Sequence, residues 1–152
     1  MVHLENLIEK TELQMPKCYW IAHPTITNKE KFIKFEGQYH GAHDYVLFST
    51  ASSPISAMGA RRSPVPVQVG SGIPDKIRDY VYCLPFNDFD VVEKCVKDHH
   101  GEIAAIMVEP CLGNIAGIEP LEGYLAHLKK LCDDYNMVLI FDEVKMDDQR
   151  IQ

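Results

Sequence analysis

The sequence predicts an α/β protein with a mostly parallel sheet and flanking helices. Two uninterrupted apolar runs, Ile103 to Val108 and Met137 to Phe141, have the length and composition of buried parallel strands. A segment with helical spacing of apolar residues precedes each run, and a third strand-like run, Tyr80 to Leu84, comes before the first helix. Alternating strands and helices with short connections are typical of a parallel sheet covered by helices.

Capping signals and apolar stripes define the two helices. Asn87 is expected to cap a helix that runs to His100 and stops at Gly101. The apolar face of this helix would consist of Phe89, Val92 and Val96. The second helix is expected from Leu121 to Tyr135. Its buried stripe would consist of Leu121, Leu125, Leu128 and Cys132.

The first half of the chain is less regular. Apolar residues at roughly helical spacing in residues 4–15 predict a short helix that ends before Pro16. The segment Lys31 to Glu36 predicts a short strand, closed by a turn at Gly37. Residues 49–74 are rich in Ser, Pro, Gly and Ala and predict a long loop, of the kind that serves as a lid or an interface arm.

Composition and charge narrow the class of protein. The 152 residues are 46% hydrophobic and 24% charged, which is ordinary for one globular domain. The formal net charge is -7 and no long block of like charge occurs, so nucleic acid and anionic membranes are not expected as partners. The five scattered cysteines favour reduced thiols in a cytoplasmic protein, and neither a signal peptide nor a membrane span is expected.

Carboxylates follow both apolar strands of the second half. Glu109 comes directly after the strand that ends at Val108, and Asp142 and Glu143 follow Phe141. Parallel strands place their ligand sites at their carboxyl ends, so these groups are expected at one edge of the sheet. Alternatively, Glu109 and Glu143 pair with surface lysines or cap a neighbouring helix. The segment Gln38 to Asp44 adds aromatic, imidazole and glycine residues in a loop where a backbone can approach a ligand closely.

Other polar clusters favour simpler interpretations. His40 and His43 lie three residues apart without a third ligand of clear spacing, so no metal site is expected. Arg61 and Arg62 can bind an anion, but a solvated loop is the favoured interpretation, and the pair His99–His100 is interpreted as a solvated helix end. Neither a P-loop nor a dinucleotide-binding glycine motif is present.

Three ordered blocks resemble a known family. Lys31 to Gly41 (KFIKFEGQYHG), Gly101 to Asn114 (GEIAAIMVEPCLGN) and Met137 to Val144 (MVLIFDEV) together resemble class III pyridoxal-phosphate aminotransferases, most of all the glutamate-1-semialdehyde 2,1-aminomutases. The resemblance implies part of a fold-type I pyridoxal-phosphate transferase large domain at residues 27–144, with the long loop at 49–74. Residues 1–26 and the tail 145–152 are unlike the family.

The resemblance implies a binding site for the pyridoxal-phosphate ring. Asp142 matches the carboxylate that bonds the pyridine nitrogen and keeps it protonated, which makes the ring a better electron sink. Tyr39 matches the aromatic residue stacked on the ring, and Val144 the apolar residue that packs on the other face.

Further positions match the family motif around this ring. His40 and Gly41 complete the motif that begins with Tyr39. Asn114 matches the aminomutase-like residue near the phenolic oxygen of the cofactor, and Glu109 resembles the acid of the Glu-Pro turn, with a supporting role. The cofactor-binding residues are therefore expected to be Tyr39, His40, Gly41, Asn114, Asp142 and Val144.

The chain also departs from the family. The family's phosphate-binding loop would fall at Met15 to Pro24, which shows nothing like it. The family's Schiff-base lysine lies well beyond the Asp-Glu-Val motif, and the Thr-Gly-Phe-Arg continuation is replaced from Lys145 onward. Lys145 itself lies near the pyridine-nitrogen end of the ring, away from the aldehyde carbon. No catalytic residue is therefore assigned.

These matches and departures give two hypotheses, beside a third in which an unrelated α/β ligand-binding domain shares the strand-end carboxylates by chance. The first is a truncated class III aminotransferase of the aminomutase type, which would act on a small amino donor or amino-aldehyde and is expected to be inactive alone. The second is a non-catalytic interaction module that assembles with a full-length homologue or with itself, because members of the family are dimers with shared active sites.

Overall fold

A computed structural model describes residues 29–145, in which four parallel strands form one sheet. The elements, in chain order, are β1 (Lys31–Phe35), β2 (Gly59–Ala60), β3 (Ser63–Pro64), β4 (Val81–Leu84), α1 (Phe89–His99), β5 (Ile103–Val108), α2 (Tyr124–Asp134) and β6 (Val138–Phe141). The strand order in the main sheet is β4-β1-β5-β6, and β2 and β3 form a separate short hairpin. The predicted α/β class with a mostly parallel sheet is confirmed.

The register of the strands determines where the polar groups emerge. Val108 at the end of β5 pairs with Phe141 at the end of β6, and the amide of Asp142 donates to the carbonyl of Val108 at 2.9 Å. Because the strands run parallel and end together, the residues that follow them emerge at the same edge. Glu109 and Asp142 are thereby brought to one side of the sheet.

Helices α1 and α2 cover the sheet through an aromatic and aliphatic core. Tyr124, the first residue of α2, is fully buried and makes edge-to-face contacts with Phe35, Phe86 and Phe89. Val92 and Val96 of α1 are also fully buried, and burial of a valine contributes about 1.5–3 kcal/mol. The predicted apolar face of the first helix is therefore confirmed.

The start of α1 differs from the prediction by one residue. Asp88 is the N-cap, and its carboxylate accepts from the amide of Val91 at 3.2 Å. Asn87, the expected cap, has a left-handed backbone with φ of 65°. Its side chain instead donates to the carbonyl of Glu119 and accepts from the amide of Leu121. Both residues are good caps, and the contact with the 119–121 segment determines which one is used.

The second helix begins later than predicted. It starts at Tyr124 after Gly123, whose φ of 79° is readily adopted only by glycine. Leu121 precedes the helix and is 56% exposed, so its assignment to the buried stripe was wrong. Leu128 and Cys132 are buried as predicted.

Strand β6 is parallel as predicted but not buried. Among residues 29–145 it pairs with β5 alone, which makes it an edge strand. Its residues are half-buried, and Phe141 is exposed. Its apolar run predicted burial on both faces, and the edge position explains the difference.

The remaining predictions have mixed outcomes. The segment 49–74 contains only a 3₁₀ turn at Ile55–Ala57 and the β2–β3 hairpin, in agreement with a long loop. A second 3₁₀ helix, Asp75–Tyr80, leads into β4. The predicted helix at residues 4–15 and most of the tail lie outside the described residues. Within residues 29–145 no helix is both long and apolar enough to cross a lipid bilayer.

Candidate functional site

A cavity of 220 Å³ opens at the carboxyl edge of β5 and β6. It is lined by Tyr39, His40, Gly41, Glu109, Cys111, Asp142, Val144 and Lys145. Three segments distant in sequence thus meet here: the loop after β1, the turn after β5 and the end of β6. The structure brings together six of the seven residues singled out from the sequence, and Asn114 lies just outside the lining.

Asp142 is the more exposed of the two carboxylates that line the cavity. His40 Nδ1 lies 2.8 Å from Asp142 Oδ2, and the amide of Val144 donates to Oδ1 at 3.2 Å. The hydrogen bond from His40 is the largest influence and holds the pKa of Asp142 below its usual value, against the opposing effect of burial. Smaller contributions come from the Val144 amide and the charges of His40 and Lys145. Asp142 is therefore ionised at neutral pH.

His40 orients this carboxylate from a buried position. Its side chain is 1% exposed, against 19% for Asp142. Because an ionised carboxylate can only accept, Nδ1 of His40 carries the proton and donates. Its other ring nitrogen, Nε2, is buried without a hydrogen-bond partner among the described residues.

Glu109 holds the two loops that border the cavity. It is 3% exposed, and Oε1 accepts from the amide of Tyr39 at 2.8 Å. Oε2 accepts from the amide of Gly113 at 3.1 Å. The partners of Glu109 are thus loop amides, neither a surface lysine nor a helix end, so that alternative was wrong for Glu109. One buried carboxylate ties the 38–41 loop to the 110–114 loop.

Tyr39 and Val144 form the apolar surfaces of the cavity. Tyr39 is 39% exposed, and Val144 is 68% exposed. Gly41 has a φ of 91°, a conformation that other residues rarely adopt, at the point where the loop turns away. The cavity is therefore open on the side of Val144.

Asn114 reaches the cavity only through Lys145. Its side-chain oxygen accepts from Lys145 Nζ. The same ammonium group lies 5.6 Å from the centre of the Tyr39 ring, within cation–π range. The sequence analysis placed Lys145 near the pyridine-nitrogen end of the ring without naming it a binding residue, and it did not single out Cys111. Cys111 follows the Glu-Pro turn by one residue, so its place after a strand end was an available signal.

A larger cavity of 490 Å³ lies between α1 and the β2–β3 hairpin. Its lining includes Arg61, Arg62 and His99 but none of the residues that follow β5 or β6. Arg61 bonds Asp88, which also caps α1, so this arginine has a structural partner. The smaller cavity is the stronger candidate because it collects the ionised carboxylate and the strand-end groups.

The remaining polar clusters are accounted for by local contacts. The ring of His43 stacks on Tyr45, at 5.5 Å between centroids, and His99 stacks on Tyr82. In the described part of the chain, no group of three or more His, Cys, Asp or Glu side chains is placed to hold a metal ion.

Comparison with protein families gives a match over most of the chain. The model of the family described as aminotransferase class-III matches residues 12–146. Glutamate-1-semialdehyde 2,1-aminomutase of Methanococcus maripaludis (strain C6) is 44% identical over 119 residues, and that of Methanocaldococcus jannaschii is 43% identical over the same length. In both cases the match covers 78% of this chain and 26% of the relative. The chain thus spans about a quarter of the length of these relatives.

Solved structures show the same relationship. An omega-transaminase from Sphaerobacter thermophilus is 36% identical with a TM-score of 0.69, over 77% of this chain and 26% of that protein. A glutamate-1-semialdehyde aminomutase variant from Pseudomonas aeruginosa PAO1, in complex with PMP, is 27% identical with a TM-score of 0.62, over 77% and 24%. The family match and the fold agree with the three sequence blocks, and the chain belongs to the class III aminotransferase family.

Proposed function

We propose that this chain forms the ring-binding part of a pyridoxal-phosphate enzyme of the glutamate-1-semialdehyde 2,1-aminomutase type. The observation that carries the proposal is the ionised Asp142, oriented by His40 at a strand end beside the exposed face of Tyr39. The aminomutase names of relatives that are 43–44% identical support the type. Residues 27–144 are proposed as the domain, with 1–26 and 145–152 as flanking segments.

The residues of the cavity fit the ring of the cofactor. An ionised carboxylate that is 19% exposed suits a protonated pyridine nitrogen, and a tyrosine face beside it suits an aromatic ring. When bound, pyridoxal phosphate supplies an electron sink for amino-group transfer. Among the residues that line the cavity, Lys145 is the only permanent cation, and no glycine-rich loop is present. The fit therefore concerns the ring and its nitrogen, not the phosphate.

Each residue has a defined task in this proposal. Asp142 would accept from the ring nitrogen and hold its proton, and His40 holds Asp142 in the required orientation. Tyr39 and Val144 would hold the ring by apolar contact and exclude water from it. Glu109 fixes the main chain of Tyr39, and Gly41 lets the loop turn away. Asn114 would help to hold the cofactor, and in the ligand-free chain its side-chain oxygen accepts from Lys145.

The proposed substrate is a small amino-aldehyde. In an aminomutase, glutamate-1-semialdehyde is converted to 5-aminolevulinate by relocation of its amino group.

The four cysteines in the described part of the chain are free and buried, which supports the proposed cytoplasmic location.

Binding of pyridoxamine 5'-phosphate tests the proposal. This compound carries the ring and needs no lysine, so induced circular dichroism of its absorption band reports on ring binding alone. We expect binding by the wild type and a loss of at least about tenfold in Asp142→Asn, because the amide cannot hold the ring proton. Asp75→Asn, an exposed aspartate far from the cavity, is the matched control. Equal binding by wild type and Asp142→Asn would contradict the proposal.

The free edge of β6 favours a second proposal, that the chain assembles with a partner. In the described residues β6 pairs on one side only, and Phe141 and Val144 at its end are exposed. An unpaired apolar edge is a surface on which another strand can add. The partner would be a second copy or a full-length homologue. Light scattering after size-exclusion chromatography is the test. Assembly would be ruled out if the chain stays a monomer at high concentration and does not co-elute with the homologue.

A further inference from the structure

Two fully buried polar side chains bond the segments that border the cavity without lining it themselves. The first is Lys34, in the central strand β1. Its ammonium group donates to the carbonyl of Gln38 at 3.1 Å and to the carbonyl of Phe48 at 2.5 Å. These two carbonyls lie at opposite ends of the segment 38–48, which carries Tyr39, His40 and Gly41. One side chain therefore holds both ends of the loop that forms one wall of the cavity.

The second buried side chain is Gln38. Its Nε2 donates to the carbonyl of Glu109 at 3.0 Å, and its Oε1 accepts from the amide of Glu109 at 3.0 Å. Gln38 thus satisfies both main-chain groups of Glu109, as a neighbouring strand would. The carboxylate of Glu109 in turn accepts from the amide of Tyr39. Residues 38, 39 and 109 form a closed set of hydrogen bonds between the loop after β1 and the turn after β5.

Burial of the Lys34 ammonium group costs free energy, which argues against a role in packing alone. Burial lowers the pKa of Lys34, because the ammonium group loses its hydration, and the nearby Cys83, Glu109 and Glu36 oppose this effect without cancelling it. An apolar residue at the centre of a parallel sheet would avoid this cost. Every hydrogen bond of the two side chains goes to main-chain groups of the segments that border the cavity. Their common effect is to fix the position of those segments.

We infer that Lys34 and Gln38 are positioning residues for the cofactor site, which hold the Tyr39–Gly41 wall against the β5 turn without touching the ligand. The inference rests on the proposed function for its consequence, that is, ring affinity. The position of the Tyr39–Gly41 segment is a property of the ligand-free chain. This position and the ring affinity are measured separately.

Hydrogen exchange of the ligand-free protein tests the geometric claim. In Gln38→Glu the acceptor for the Glu109 amide is kept, but the donor to the Glu109 carbonyl is replaced by a second oxygen. We expect the amides of residues 39–41 to exchange at least about tenfold faster in this variant. Gln68→Glu is the matched control, because Gln68 also donates to two loop carbonyls, those of Gly70 and Ile73, away from the cavity. Unchanged exchange at residues 39–41 would overturn the inference.

Lys34 has a matched control in the same strand. Lys34→Met removes both donors, and faster exchange across residues 38–48 is expected. Lys31→Met removes a lysine whose partners, Tyr82 and Glu102, are at the strand surface, and it should leave this segment unchanged. Equal exchange in the two variants would overturn the role of Lys34. If Lys34→Met does not fold, hydrogen exchange of residues 38–48 is measured in Lys34→Arg, which keeps the charge.

Titration with pyridoxamine 5'-phosphate tests the consequence. We expect affinity in Gln38→Glu to fall by about tenfold with an altered dichroic band, and affinity in Gln68→Glu to stay within about twofold of the wild type. If the wild type itself does not bind, the proposed function fails while the exchange result still decides the geometric claim. If Gln38→Glu exchanges faster yet binds as the wild type does, the positioning role is overturned and the proposed function stands.

Discussion

The two walls of the cavity are built differently. The wall from β1 and β5 is held by two buried side chains: Gln38 bonds the main chain of Glu109, and Glu109 holds the amides of Tyr39 and Gly113. The wall from β6 is open, with Val144 and Lys145 exposed and Asp142 held by one side chain, His40. Both walls follow parallel strands, but β1 and β5 are central and β6 is at the edge.

The two walls are expected to affect different properties, namely the stability of the fold and the binding of a ligand. Gln38 and Glu109 in this buried wall have their hydrogen-bond partners before any ligand binds, so their removal should destabilise the fold. Groups in the open wall make few contacts within residues 29–145, so their removal should affect what binds there. Each of the following substitutions tests whether the two walls differ in this way.

The largest effect is expected from an isoleucine in a central strand. Ile106 in β5 is fully buried, and Ile106→Ala should lower the free energy of unfolding by about 2–5 kcal/mol, because it leaves a cavity in the core. Ile140→Ala in the half-buried strand β6 is the matched control, with an expected loss of about 1 kcal/mol. Urea denaturation measures both. Equal losses would show that β6 is covered as fully as β5.

Loss of the Glu109 carboxylate should come next. In Glu109→Gln one acceptor oxygen becomes a donor that faces a loop amide, and we expect a loss of about 1.5–3 kcal/mol in the free energy of unfolding. Glu143→Gln is the control after the neighbouring strand, where the side chain is exposed and a change within about 0.5 kcal/mol is expected. A small effect at both positions would remove the distinction between the walls.

The sequence predicted the strands better than the helix ends. The apolar run Ile103 to Val108 corresponds to β5 without a shift, since a central strand of a parallel sheet is apolar on both faces. The start of α1 was missed because Asn87 and Asp88 are both good caps, and only a contact with residues 119–121 distinguishes them. The edge position of β6 depends on its neighbours, which its own composition does not report.

The site was predictable in outline but not in its contacts. Parallel strand ends place Glu109 and Asp142 at one edge, and a strand pattern suffices to predict this. The pair His40–Asp142 joins residues 102 positions apart, and Gln38 and Glu109 are 71 positions apart. No local pattern encodes such distances. Burial of Lys34 was equally hidden, because a lysine within a strand normally indicates a solvent-facing position.

Acid should reduce the stabilisation that the ionised Asp142 contributes in the open wall. The folded pKa of Asp142 is below its usual value of 3.8, so the unfolded chain binds more protons in this range. The stabilisation is therefore present above the unfolded pKa and is lost as the pH falls through the folded pKa. We expect the difference in unfolding free energy between wild type and Asp142→Asn to be constant above about pH 5 and to shrink as the pH falls through the folded pKa. In His40→Phe this loss should be smaller, because the folded pKa of Asp142 rises towards its unfolded value without the hydrogen bond from His40. An unchanged profile would contradict the role of His40.

The smallest effect on stability is expected at Val144, the most exposed apolar residue of the open wall. Val144→Ala should change the free energy of unfolding by less than about 0.5 kcal/mol. Its affinity for pyridoxamine 5'-phosphate should nevertheless fall by about fivefold to tenfold, because two methyl groups that would pack on the ring are lost. Val69→Ala, another exposed valine in a distant loop, should change neither quantity. A stability loss above about 1 kcal/mol in Val144→Ala would show that this wall is already covered without a ligand. Unchanged affinity would show that the ring does not reach it.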